Sequence, residues 1–132
     1  MNLEDQVVSL ELAKRLKELG ANQESLFYWV KEDDPYIWYN SNNYPIKTEK
    51  LYNAAYTVSE LGLFLPHGLN KDGEDYYLFI MKLDNWHICY TRENGDKEPL
   101  FWFKDDKEAD ARAKMLIHLL ENNIIKVEDI NK

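Results

Sequence analysis

A histidine-cysteine pair and a short acidic run are the first places in this chain where residue types and spacing suggest chemistry. His87 and Cys89 stand two apart, which on an extended strand puts both on one face, where imidazole and thiolate are competent zinc ligands. Two ligands do not complete a tetrahedral site. His67 and His118 would have to join through tertiary contacts, so ordinary packing is the expectation and no metal is predicted. Cys89 as a nucleophile would need a partnered base, and no family signature surrounds it. Asp105-Asp106-Lys107 has the acidic-x-lysine look of a magnesium-dependent nuclease, in which carboxylates hold the ion and lysine steadies the phosphate. The same residues explain themselves as a helix start, with Asp105 capping free amides and acidic side chains complementing the positive end of the dipole. Asn70, Asp72, Glu74 and Asp75 resemble part of a calcium loop but lack its distal bidentate glutamate. No P-loop, GxGxxG, GxSxG or HExxH occurs, so no catalytic residue, metal or cofactor is assigned.

Recognition chemistry is better represented. Tyr36, Trp38, Tyr39 and Tyr44 lie beside Asn40, Asn42 and Asn43, joining large rings that lose little entropy on contact to amides that both donate and accept. These four aromatics form the candidate partner-binding surface. Alternation puts Tyr36 and Trp38 on one face of a strand and Tyr39 on the other, so at least one set is expected to be exposed.

The elements that must position these residues follow from periodicity. Leu12, Leu16 and Leu19, between Ser9 as N-cap and Gly20 as stop, predict a helix from Ser9 to Leu19. Its outer face pairs Glu11 with Arg15 and Lys14 with Glu18 at four-residue spacing. Residues 1–8 either extend that helix or form a packed arm. Leu26 to Lys31 and Tyr36 to Asn40 read as a hairpin turned at Glu32-Asp33-Asp34-Pro35. Ser41 to Lys50 reads as a loop and Leu51 to Tyr56 as a short strand. Thr57-Val58-Ser59-Glu60 fits a capping box, flanked by Tyr56 and Leu61 as a hydrophobic staple, for a helix that stops near Leu65 before Pro66. Asn70 to Asp75 reads as a polar loop. Tyr76 to Leu83, Asn85 to Thr91 and Leu100 to Phe103 form an antiparallel meander with an Asn94-Gly95 turn signal. A last helix starts at Asp105 to Glu108 and carries the stripe Ala109, Ala113, Leu116 and Leu120. Glu108 with Arg112 and Asp110 with Lys114 decorate its other face, and Asn122-Asn123 ends it before Ile124 and Ile125 fold back. The fold class is α+β, a mainly antiparallel aromatic-rich sheet with about three helices, the strongest near the C-terminus.

Three segments taken together carry a resemblance. They are Ser9-Leu10-Glu11-Leu12-Ala13-Lys14-Arg15-Leu16-Lys17-Glu18-Leu19-Gly20 with Gln23-Glu24-Ser25-Leu26-Phe27-Tyr28-Trp29, then Thr57-Val58-Ser59-Glu60-Leu61-Gly62, and Glu108-Ala109-Asp110-Ala111-Arg112-Ala113-Lys114-Met115-Leu116-Ile117. The set resembles a family of small uncharacterised proteins encoded by bacteriophages and prophages. The resemblance implies a phage-related role and brings with it no activity and no catalytic residues.

Composition bounds the rest. A chain of 132 residues fits one domain spanning 1–132, and 45% hydrophobic residues suffice for a core without staples. A single cysteine suits a reducing compartment, and no leader or membrane-length apolar run is read from the sequence, so a cytoplasmic protein is expected. A net charge of -8 repels phosphate backbones, which argues against direct nucleic-acid binding. The leading expectation is a non-enzymatic phage or prophage accessory protein that binds an unidentified host or phage protein. The alternatives are a small enzyme with a site assembled from distant residues, and an acidic nucleic-acid mimic.

Overall fold

The structure, a computed structural model, describes residues 2–42, 44, 51–93 and 98–131. The N-terminal arm makes a single 3-10 turn at Leu3–Asp5 and then packs rather than extending a helix. Val7 bridges Thr57, the Val8 N–H donates to the Tyr56 carbonyl at 2.9 Å, and both valines are fully buried. The Trp29 indole N–H donates to the Val8 carbonyl at 2.8 Å, tying the arm to the first sheet.

Helix α1 (Leu10–Glu18) buries Ala13 and Leu16 and ends in a Schellman motif. The Ala21 N–H reaches the Leu16 carbonyl and the Gly20 N–H the Lys17 carbonyl, with Gly20 at φ +95. That left-handed position suits glycine, which has no Cβ to clash. Ser9 holds the N-cap position without a side-chain cap; its N–H instead donates to the Asp110 carboxylate at 2.7 Å. The outer charges settle at three-residue spacing, Lys14 with Glu11 at 3.6 Å and Arg15 with Glu18 at 3.8 Å, and Arg15 also pairs with Glu121 at 2.6 Å.

The strands divide into two antiparallel sheets where the sequence suggested one. The first has order β2-β1-β3, from β1 (Phe27–Val30), β2 (Tyr36–Tyr39) and β3 (Tyr52–Ala54). Its β3 edge is capped by side chains, Lys17 Nζ donating to the Tyr52 carbonyl at 2.6 Å and Gln23 Oε1 accepting from the Ala54 N–H at 2.7 Å. An edge satisfied this way cannot recruit another strand there. Helix α2 (Val58–Phe64) follows, and both bonds of the expected capping box are present.

The second sheet has order β4-β5-β6-β7, from β4 (Gly68–Lys71), β5 (Glu74–Lys82), β6 (Trp86–Thr91) and β7 (Phe101–Asp105). Strand β4 and the start of β5 replace the polar loop expected at Asn70 to Asp75. The reason is Asp72-Gly73, with φ of +54 and +84, a two-residue hairpin turn with left-handed backbone at both residues, whose twist matches the right-handed twist of the strands it joins. The Asn94-Gly95 turn signal lies outside the described residues.

Helix α3 (Glu108–Glu121) packs on β6 and β7 and against α1 and α2. Ala109, Ala113, Leu116 and Leu120 are buried as expected, but so are Ala111, Met115, Ile117 and Leu119, so the helix is enclosed rather than half solvated. Asp110 is likewise buried and contacts Ser9 and Lys107, while Lys114 pairs with Asp105 at 2.7 Å; only Glu108 with Arg112, at 2.6 Å, keeps the expected partner. Asn123, at φ +56, closes a second Schellman motif, the Ile124 N–H reaching the Leu119 carbonyl at 2.9 Å. Ile125 packs on the core while Ile124 stays exposed, and a short α4 (Val127–Ile130), not expected from the sequence, buries Ile130.

Candidate functional site

The hairpin of β1 and β2 separates the four candidate aromatics by face. Register pairs Tyr28 with Trp38 and Val30 with Tyr36, so these share the face whose β1 residues are buried, while Tyr39 opposes Phe27 on the other. Trp38 is half-buried within a ring cluster, 5.7 Å from Tyr52 and 6.3 Å from Tyr28 between centroids. Tyr44 stacks on it at 6.4 Å and 14°. Buried Asn40 holds Tyr44 there from both sides, Nδ2 donating to the Tyr44 carbonyl at 3.0 Å and Oδ1 accepting from its N–H at 2.9 Å. Tyr39 sits 5.2 Å from Phe27. Tyr36, Tyr39 and Tyr44 remain 49%, 55% and 56% exposed. The structure therefore keeps three of the four as surface rings, on both faces, and turns Trp38 into the packed base beneath Tyr44. Asn42 is exposed beside them, and Asn43 lies outside the described residues.

A second aromatic surface lies on the face of the four-stranded sheet opposite α3. Register aligns Phe79 with Cys89 and Cys89 with Trp102, and in the next row Met81 with His87. Tyr77, Phe79 and Trp102 are 46%, 48% and 53% exposed. The inner face takes Ile88, Tyr90, Phe101 and Phe103, the last two packing their rings on His118 of α3 at 4.5 and 5.3 Å. The signal for the outer face was present in the sequence: Tyr76 to Leu83 is apolar at both parities, and one helix layer can cover only one face.

The residues weighed for chemistry are dispersed. The Trp102 indole N–H donates to His87 Nδ1 at 2.9 Å, and Cys89 lies buried beside that pair, its thiol pushed up by burial. Among the described residues no group of three or more His, Cys, Asp or Glu is placed to hold a metal ion. Asp105 ends β7 rather than capping α3, whose N-cap is Lys107 without a side-chain bond. Burial alone would raise the Asp105 carboxyl, but hydrogen bonds from Lys114 and from the Lys107 N–H outweigh it and hold the group below the usual carboxylate range. Its bond with Asp106 holds that neighbour above the range. The calcium-like residues are hairpin residues: Asn70 donates to Asp75 at 2.9 Å, and Glu74 pairs with Arg92 at 3.1 Å.

A cleft of about 640 Å³ opens at the seam of the two sheets, between Phe27, Val58, Trp86 and the start of α3. Neither histidine nor cysteine lines it, and its Glu108 is held by Arg112 at 2.6 Å. Buried Tyr56 and Tyr90 hydroxyls, both raised by desolvation, donate to the Asn22 and Pro66 carbonyls and serve the core. No helix among the described residues is long and apolar enough to cross a membrane. No family model, no curated protein and no solved structure matches the chain, so its functional reading rests on its own surfaces.

Proposed function

We propose that this chain is a non-enzymatic, cytoplasmic phage or prophage accessory protein that acts by binding a host or phage protein through the aromatic hairpin. The observation that supports this reading is the half-exposure of Tyr36, Tyr39 and Tyr44, with Tyr44 stacked on the packed Trp38 and Tyr39 set against Phe27. Aromatic rings held in place before contact supply binding area without an ordering cost. The exposed acidic turn Glu32-Asp33-Asp34 at the tip of the same hairpin favours a protein partner over nucleic acid or an anionic membrane. The test is affinity capture from host and infected-cell extracts with wild type and with Tyr36→Ala/Tyr39→Ala/Tyr44→Ala. The variant is expected to lose the captured protein while keeping its circular dichroism spectrum and nearly its thermal melt. Capture that survives the triple substitution would remove the hairpin as the binding surface. Trp38→Ala is no substitute, because a packed ring there is expected to lower the melt by itself.

A further inference from the structure

We infer that the outer face of the four-stranded sheet is covered by the same face of a second copy, in a weak two-fold dimer distinct from the hairpin contact. The face is built from Tyr77, Phe79 and Met81 of β5, His87 and Cys89 of β6, and Trp102 of β7. Three of these rings are about half exposed, and no described element packs over them. The Trp102 N–H is already satisfied by His87 Nδ1 at 2.9 Å. Covering the pair therefore leaves the indole donor paired, and the His87 Nε2–H that this tautomer carries is the donor a partner has to meet.

Charge permits a second copy here. The chain carries a net -8, yet the residues whose register places them on this face include one carboxylate, Asp75, and one ammonium, Lys104. These stand on different strands at opposite ends of the patch, so the face is locally neutral. It is a place where two acidic copies can meet without opposing like charges. A flat apolar sheet face is complemented by another sheet about 10 Å away with interdigitated side chains, and among the described residues this face is itself such a surface. An isologous contact of this kind closes with two copies.

Area bounds the size of the contact. Rings of this type bury 150–250 Å² each, so three half-exposed rings contribute roughly 300 Å² per copy. With the flanking side chains the pair would bury on the order of 1,000 Å² in total, the lower end for specific association, where contacts are weak and reversible.

Sedimentation of the whole chain across low to high micromolar concentration tests this. The mass is expected to rise from 15.7 kDa towards twice that value, and Phe79→Ser/Trp102→Ser is expected to stay monomeric with an unchanged circular dichroism spectrum. Lys104→Glu, at an exposed position that does not endanger folding, should weaken the dimer several-fold by making the face acidic. A wild type that remains monomeric throughout would overturn the inference and leave the face to a foreign partner. A dimer that persists in both variants, or that is lost on Tyr39→Ser instead, would also overturn it, while the hairpin reading would stand or fall separately on the capture experiment.

Discussion

Asp105 shows how one side chain acquires a role that its neighbours in sequence do not announce. As the residue before an acidic helix start it looks like a cap, yet it ends β7, accepts from the Lys107 N–H at 3.0 Å and pairs with Lys114 at 2.7 Å. The last partner lies two turns into α3, a contact that exists only once the helix has docked. Because these bonds hold the Asp105 carboxyl below its ordinary value, its contribution to stability is present above the ordinary carboxylate range and is lost as pH falls through the lowered native value. Asp106 has the opposite sign: raised by Asp105, its contribution is full below the ordinary value and lost as pH rises through the native one. Asp105→Asn is therefore expected to cost roughly 1 kcal/mol at neutral pH, with the gap to wild type closing in acid. Asp106→Asn should show no such loss. Denaturant melts at several pH values check both, and an Asp105→Asn deficit that persists unchanged in acid would show that the ion pair is not its source.

At the level of elements, long periodic segments were legible and short ones were not. Helix α3 and the capping box of α2 were readable because stripe and cap repeat one message over several residues. Strand β4 was not: Gly68–Lys71 is largely exposed, so it has no apolar alternation. Its only local sign is Asp72-Gly73, a turn type that the surrounding charges made look like a loop. The division into two sheets depends on which strands pair, and strand patterns do not encode that directly. The candidate site was legible to a similar degree. Clustering of Tyr36, Trp38, Tyr39 and Tyr44 marked the hairpin, but which ring is base and which is surface came from Asn40 clasping Tyr44 over Trp38. The turn itself provides a test. A Cβ on Gly73 would meet nothing within 4 Å, so Gly73→Ala isolates the backbone cost of φ +84, expected at about 1–2 kcal/mol. A thermal melt unchanged from wild type would show that the hairpin adopts another turn.

For the molecule as a whole, α3 decides whether two sheets behave as one body. One face of the helix lies on β6 and β7, other faces meet α1 and α2, and α1 in turn packs on β3 of the first sheet. A single cluster of buried residues runs from Tyr28 and Ala54 through Leu16, Leu61 and Leu116 to Ile88 and Tyr90. Neither sheet has a second helix layer to fall back on among the described residues, so losing α3 exposes the inner face of the larger sheet and the packed side of α1 together. Amide exchange at Tyr28 in β1 and Tyr90 in β6 is accordingly expected to report the same opening free energy. Leu116 is fully buried, and Leu116→Asp would place an unpaired carboxylate among apolar neighbours, a change worth several kcal/mol against a total of about 5–15 kcal/mol for a domain. Both amides should lose protection by the same amount in that variant. If Tyr90 loses protection while Tyr28 keeps it, the smaller sheet stands without α3 and the cooperative reading is wrong.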